Sequence, residues 1–371
     1  FGPGNDFTTE ATAIHLEGTV TEDTVRVLVN GSDDGVTYTI GAETWQYDGA
    51  LSYLNNRFGI AAEDMLGNRS MEAGIIVTRI LPQEVYLDPS GNDQSGTGRS
   101  DAPWQTIARF MSAVRLYNPG ERFITAHLAQ GIYVEQVNME PHTALEGAPD
   151  AGRSAVRIAP TRDQLLGTDS SYVLSAAEDT LLEGLCLELP VDAPTASEVL
   201  RIYQVTCRIN NIVANGRDVS SSLGINILGK NSSGSQIAHS FIERVAYGLN
   251  AVETRANFTR NKFRNIRFDA IFIRTSTDKT TGTLTTPMLG DITQAETTGN
   301  NEFESINGFF IRNMDKETVM AQGNNWGLNT EAEIAAKMDG PVNFVPFIAA
   351  IPGEGENEGE GEALPEGETP P

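Results

Sequence analysis

Seven basic side chains crowd into one stretch of an otherwise acidic chain. Arg244, Arg255, Arg260, Lys262, Arg264, Arg267 and Arg274 stand between Ile237 and Arg274, against Glu243, Glu253 and Asp269. Arginine meets a carboxylate through two parallel N–H···O bonds, so it suits planar anions better than lysine does. If these residues project from stacked layers, their charges form a ladder on one face. A basic ladder beside a groove fits an anionic polysaccharide such as a polyuronide. The binding candidates are Arg244, Arg260, Arg267 and Arg274, with His239 close by. A solvated face that relieves the surrounding acidity explains the same residues.

Other chemistries find less support. Glycoside hydrolysis needs two carboxylates about 5–9.5 Å apart. Adjacent aspartates occur at Asp33-Asp34, far from the basic stretch, and Asp269 is the sole aspartate between 237 and 273. His127, His142 and His239 are scattered and form no evident metal trio. Asp88, Asn92 and Asp93 could hold Ca2+, although a turn explains them equally. The net charge of −24 opposes nucleic-acid binding; seven of the acidic residues lie in the tail after Pro352. No apolar run approaches the ~18 residues of a membrane helix. Cys186 and Cys207 are the only cysteines, and they are expected to be free thiols, one of them buried.

The elements that must carry these residues show a repeat. Ser240-Phe241 leads to Val245 and Gly248–Val252. Lys262-Phe263 leads to Ile266 and Ala270–Ile273. Glu302-Phe303 leads to Ile306 and Gly308–Ile311. An aromatic, a polar gap, an aliphatic, a turn and a second apolar strand recur at about 22 residues, then at 40. Leu182 to Cys207 and Leu187 to Ile212 repeat at 25. Such a period implies coils that bury their inner faces only against their neighbours. Asn210, Asn211, Asn215, Asn261 and Asn265 fall near bends, where stacked asparagines satisfy backbone groups.

Residues 1–80 read differently, as six short strands of period 2 separated by Gly/Asn/Asp turns, hence an antiparallel sandwich. The predicted strands include Tyr38–Ile40, and Gly18 is expected to end the first. Ala62-Glu63-Asp64, Gly67-Asn68-Arg69-Ser70 and Val77-Thr78-Arg79 resemble the strand-turn-strand of bacterial immunoglobulin-like modules, which are mostly spacers.

After Leu81-Pro82, Val85–Asp93, Gly96-Thr97-Gly98, Pro103-Trp104-Gln105-Thr106-Ile107 and Gly131-Ile132-Tyr133-Val134-Glu135 resemble the opening of right-handed parallel β-helices of the pectin-lyase type. Asn324-Asn325-Trp326-Gly327 and Val342–Phe347 resemble their closing element. The expected architecture is all-β: a sandwich at 1–80, then a β-helix over 83–350. A helix near 103–115, with Trp104, Ile107, Met111 and Val114 on one face, should cap the first coil. Trp326 and Phe344 should cover the last.

The resemblance implies more. Lyases of this superfamily use Lys or Arg to remove the proton α to a uronate carboxylate, which makes Lys262 and Arg264 the candidates for catalysis. It also implies an extracellular or cell-surface, polysaccharide-contacting protein, with a non-enzymatic adhesin or scaffold as the alternative. The Thr-rich loop 275–300 is expected to wall a cleft beside the basic set. The Gly/Glu/Pro stretch 351–371 cannot bury a core and reads as an acidic linker, after which the natural chain is expected to continue. The chain starts at Phe1, so any leader is outside it.

Overall fold

The computed structural model describes residues 6–118, 121–148, 152–166, 171–274, 286–293 and 299–349. The 351–371 stretch lies outside them. Contacts divide the chain into two compact units, Phe1–Thr168 with Val173–Leu187, and Asp169–Tyr172 with Glu188–Pro371.

The first unit opens with a sandwich. One sheet pairs Phe7–Thr9, Ala73–Arg79, Leu54–Asp64 and Thr24–Val29 in that order; the other pairs Ala13–Thr19, Thr44–Ala50 and Val36–Thr37. Leu16 and Trp45 from the second sheet meet Val27, Val29, Phe58, Ile75 and Val77 from the first. Two expectations need correction. The strand around Tyr38–Ile40 shrinks to Val36–Thr37, and Ile40 is 70% exposed. Gly18 does not end its strand. A β-carbon there would sit 2.8 Å from Trp45 Nε1, so the glycine makes room for the core indole.

Parallel coils follow in the same unit. Glu84–Leu87, Ile124–Leu128, Thr143–Gly147 and Thr180–Glu183 pair in order, as do Gly131–Tyr133, Val156–Ile158 and Cys186–Glu188. The capping helix runs Ile107–Tyr117, and not from 103. Thr106 caps it by accepting from Arg109 N, and Asp93 accepts from Thr106 N and Oγ1 at 3.1 and 2.6 Å. Pro103 and Trp104 therefore precede the helix. Trp104 is fully buried, bridging to Leu87.

The second unit holds three parallel arrays. Sheet one contains Val213–Asn215, Phe241–Glu243, Lys262–Ile266 and Glu302–Ile306. Sheet two contains Glu198–Tyr203, Leu223–Leu228, Tyr247–Val252, Ile271–Arg274, Ile311–Asn313 and Met338–Asp339. Sheet three contains Cys207–Asn210, Gln236–Ala238 and Asn257–Thr259. The fold is a right-handed parallel β-helix.

Its interior is built in columns. Ile242 pairs with Phe263, and Phe263 with Phe303. The rings of Phe263 and Phe303 stack at 5.1 Å, and Trp326 stacks on Phe303 at 4.5 Å. Trp326 is 1% exposed and continues the column. Phe241 is out of register with this stack. It pairs with Lys262, because the first interval is 21 residues and not 22. That one-residue offset turns its ring to the outer face.

A second column, of buried polar side chains, lines the corner between sheets three and one. Asn261 Nδ2 donates to Ile237 O, Asn301 Nδ2 to Phe258 O and Leu289 O, and Asn324 Nδ2 to Leu289 O and Ala321 O. Ser240 Oγ accepts from Ile212 N one layer earlier. Corner carbonyls and amides that no ladder reaches are satisfied this way.

The long insertion is also not one excursion. Met288 pairs with Asn257 and Gly290 with Ala321, and Leu289 is fully buried, so residues near 288–290 form a rung. The remainder, 275–285 and 294–298, lies outside the described residues, and so does the wall expected of it. Cys186 and Cys207 are both buried, where burial of one was expected, and neither belongs to a disulfide.

Candidate functional site

Sheet two of the second unit presents a continuous outward column. Arg201 pairs with Asn226, then Asn250, Phe272, Arg312 and Asp339 in successive strands. Their strand neighbours Ile202, Ile225, Ile227, Leu249, Ala251, Ile271 and Ile273 are at most 1% exposed. Period-2 alternation then sends the column outward. Yet Asn226 and Asn250 are only 7% and 1% exposed. They are bound into a polar floor: Asn250 Nδ2 donates to Asn226 Oδ1 at 2.6 Å, and Arg274 Nε donates to Asn250 Oδ1 at 2.9 Å.

Aromatic rings flank that floor. Tyr247 lies 5.3 Å from Phe268 and 6.0 Å from Phe272, centroid to centroid. Arg267 stands 5.4 Å over Phe268, and Arg274 stands 5.7 Å over Phe272. Phe268 is 40% exposed. At the adjoining bend a groove of about 320 Å³ is lined by Asp218, Asn265, Arg267, Ser305 and Asn307, among others.

Two further arginines on this face are engaged. Arg201 makes bonds of 2.7 and 2.8 Å to Glu198, and its guanidinium lies over Tyr172. Arg312 pairs with Asp269 at 3.0 Å and Asp339 at 3.7 Å. Asp269 is 3% exposed and also accepts from Phe309 N. Gly308 permits that approach, since a β-carbon there would fall 2.6 Å from Asp269 Oδ1.

The residues singled out from sequence do not converge on one surface. Arg267 and Arg274 belong to the face of sheet two. Lys262 and Arg264 project from sheet one. Lys262 Nζ lies 3.6 Å from Glu302 and 3.2 Å from Glu304. Arg264 Nε is bound to Glu243, with its guanidinium 4.9 Å over Phe241. Arg244, Arg260 and His239 sit at corners with φ of 52°, 55° and 51°. Arg244 binds Asp218, which raises its pKa. His239 Nδ1 contacts Asn210 Oδ1 at 3.0 Å and Nε2 faces Arg260 Nη1 at 3.4 Å. Arg255 lies against Met288.

The corner residues recur in columns: Asn211, His239, Arg260 and Asn300 at one bend, and Arg244, Asn265 and Ser305 at another, all with φ between 51° and 55°. Their spacing follows the left-handed turn each layer requires. It is a backbone requirement, and the basic types were superimposed on it.

The acidic and metal candidates serve local structure. Asp88 accepts from Ser90 N and Oγ, which lowers its pKa. Asn92 accepts from Gln94 and Ser95, and Asp93 holds Gln105 and Thr106. Asn313 Nδ2 donates to Glu317 O and Pro341 O, so the Asn313-Met314-Asp315 sequence is a bend. Among the described residues, no three His, Cys, Asp or Glu side chains are grouped to hold a metal ion.

Sequence reasoning missed Arg201, Asn226, Asn250, Tyr247, Phe268, Phe272 and Arg312. The signal was present as intervals of 25, 24, 22 and 40 residues along the column, matching the coil period. It is hidden because the residue type changes from layer to layer.

No protein-family model matches the chain, and no curated protein matches it. Among solved structures, a family 28 exopolygalacturonase from Yersinia enterocolitica aligns with 91% of this chain and 83% of its own, at 10% identity and a TM-score of 0.28.

Proposed function

We propose that the chain is a polysaccharide-binding β-helix protein whose working surface is the outer face of sheet two. It is read as extracellular or cell-surface, with the N-terminal sandwich as an immunoglobulin-like spacer. The observation that carries this reading is the pairing of exposed cations with outward-facing rings, Phe268 exposed and Phe272 half-buried. Arg267 and Arg274 have no carboxylate partner among the described residues, whereas Lys262, Arg264, Arg244, Arg201 and Arg312 all do. Each of the two stands over an outward aromatic ring.

Sugar rings present apolar C–H faces that lie against aromatic side chains, and Tyr247, Phe268 and Phe272 offer a shelf of suitable length. Uronate carboxylates meet the two unmatched guanidinia. The amide floor of Asn226 and Asn250 holds Arg274 in place, which limits the rotamer freedom lost on binding. Binding without turnover is the reading favoured here. The lyase candidates Lys262 and Arg264 face their own glutamates on another sheet, so a substrate carboxylate would have to displace those first.

The test is a titration of the full chain with polygalacturonate and with a neutral galactan, following ultraviolet absorbance alongside. Salt-sensitive binding of the polyuronide with no unsaturated product supports the proposal. Equal affinity for both glycans would remove the uronate assignment, and growth of product absorbance would replace binding with β-elimination.

A further inference from the structure

A second set of unmatched cations lies in the first unit, where the sandwich meets the capping helix. Arg109, Ala113 and Tyr117 are spaced i, i+4, i+8 and so share one face of that helix. The ring of Tyr53, from the sandwich, stacks on Tyr117 at 4.5 Å and 17°. The guanidinium of Arg79, also from the sandwich, lies 4.1 Å over Tyr53, and its Nη1 donates to Leu51 O. Arg109 stands 4.9 Å over Trp104.

Three polar atoms here are buried without a hydrogen-bond partner among the described residues: Tyr53 Oη, Arg79 Nε and Arg109 Nε. Neighbouring Arg122 is matched, by Leu81 O and Glu10. Among the described residues, Arg79 and Arg109 have no carboxylate partner, although acidic residues outnumber basic ones by 50 to 26. Both charges act on the Tyr53 hydroxyl, whose pKa burial nonetheless raises. Two buried Nε–H donors and a phenol donor call for an acceptor with several oxygens.

We propose that this junction binds a small oxyanion, phosphate, sulfate or a free carboxylate, between Arg79, Arg109 and the Tyr53 hydroxyl. The oxyanion accepts from all three donors and neutralises the paired cations. Tyr53 and Arg79 come from the sandwich and Arg109 from the helix. Occupancy therefore ties the two together, and the bound chain is harder to unfold. The site is independent of the glycan face.

The experiment is thermal unfolding of the full chain against rising phosphate, and separately acetate, at ionic strength held constant with NaCl. The parent, Arg109→Gln and Tyr53→Phe are compared; the phenylalanine keeps the ring stack. The parent should show a saturable rise in melting temperature, with the midpoint concentration at least tenfold higher in Arg109→Gln and severalfold higher in Tyr53→Phe. Saturation with phosphate alone assigns a tetrahedral anion, and saturation with acetate alone assigns a carboxylate. A linear rise that is the same in all three proteins with both anions would overturn the site.

Discussion

Replacing Asn301 by alanine tests the corner column in one step. Asn301 is fully buried. Its Nδ2 donates to Phe258 O and Leu289 O at 2.9 and 3.1 Å and to Asn324 Oδ1 at 3.0 Å, and its Oδ1 accepts from Asn261 N at 3.0 Å. Alanine leaves Phe258 O and the amide of Asn261 without these partners where water does not reach, while Leu289 O keeps its bond from Asn324 Nδ2. A buried polar group left unmade costs about 1–3 kcal/mol. Two such groups sum to about 2–6 kcal/mol, and local relaxation favours the lower half of that range, about 2–4 kcal/mol. Asn301→Asp retains the acceptor for Asn261 but cannot donate to the two carbonyls, so it should be destabilised as well. Urea unfolding followed by tryptophan fluorescence, with Trp45 and Trp104 replaced by phenylalanine in parent and variant alike, reports the same layers, because Trp326 stacks on Phe303, two residues after Asn301. If Asn301→Ala unfolds within about 1 kcal/mol of the parent, the column does not hold the corner together, and the assigned bonds are wrong.

Three further outcomes are expected. Phe303→Ala should cost about 3–5 kcal/mol in the same unfolding assay, since its ring lies between Phe263 and Trp326; Phe241→Ala, on the outer face, should cost much less. Glu135 accepts from Ile107 N and Ala108 N, yet burial raises its pKa above the ordinary 4.5. A raised folded pKa means that its contribution is complete below that ordinary value and is lost as pH rises through the folded one. The stability of the parent relative to Glu135→Gln should therefore fall as the pH rises from below the ordinary 4.5 through the raised folded value, read from paired thermal melts. Cys186 and Cys207 should react with a thiol reagent only after denaturation, as both are buried.

The coil architecture was legible because its signal is local and repeated. Apolar alternation at Leu249–Ala251 and Ile271–Ile273 recurs one period apart, and the pairing of Leu249 with Ile271 follows directly. The Phe241 register was not legible. A 21-residue interval followed by one of 40 looks the same as 22 followed by 40 when an isoleucine stands beside the aromatic. The helix start was missed by four residues because Trp104, read as a helix residue, is held by Gly96 O and by its bridge to Leu87.

The site divides along the same line. Arg267 and Arg274 were found from charge. Their partners were not, because Asn226 and Asn250 are single polar residues inside apolar strands and Phe272 looks like core. Only the pairing of Asn250 with Phe272 shows that both face outward. The basic stretch looked like one surface because its members are close in sequence. A coil sends residues a few positions apart to different sheets, so Lys262 and Arg264 project from sheet one while Arg267 and Arg274 reach the face of sheet two.

The proposed glycan site lies on sheet two. The direct measurement is the polygalacturonate binding isotherm of two paired variants, Arg267→Gln with Arg274→Gln, and Lys262→Gln with Arg264→Gln. An exposed charge pair is worth up to about 1 kcal/mol, so losing two cations and their hold on the carboxylates predicts roughly a tenfold to thirtyfold weaker affinity for the first pair. The second pair should bind within about twofold of the parent. If the second pair loses the affinity and the first keeps it, the working surface is sheet one, and the assignment made here is wrong.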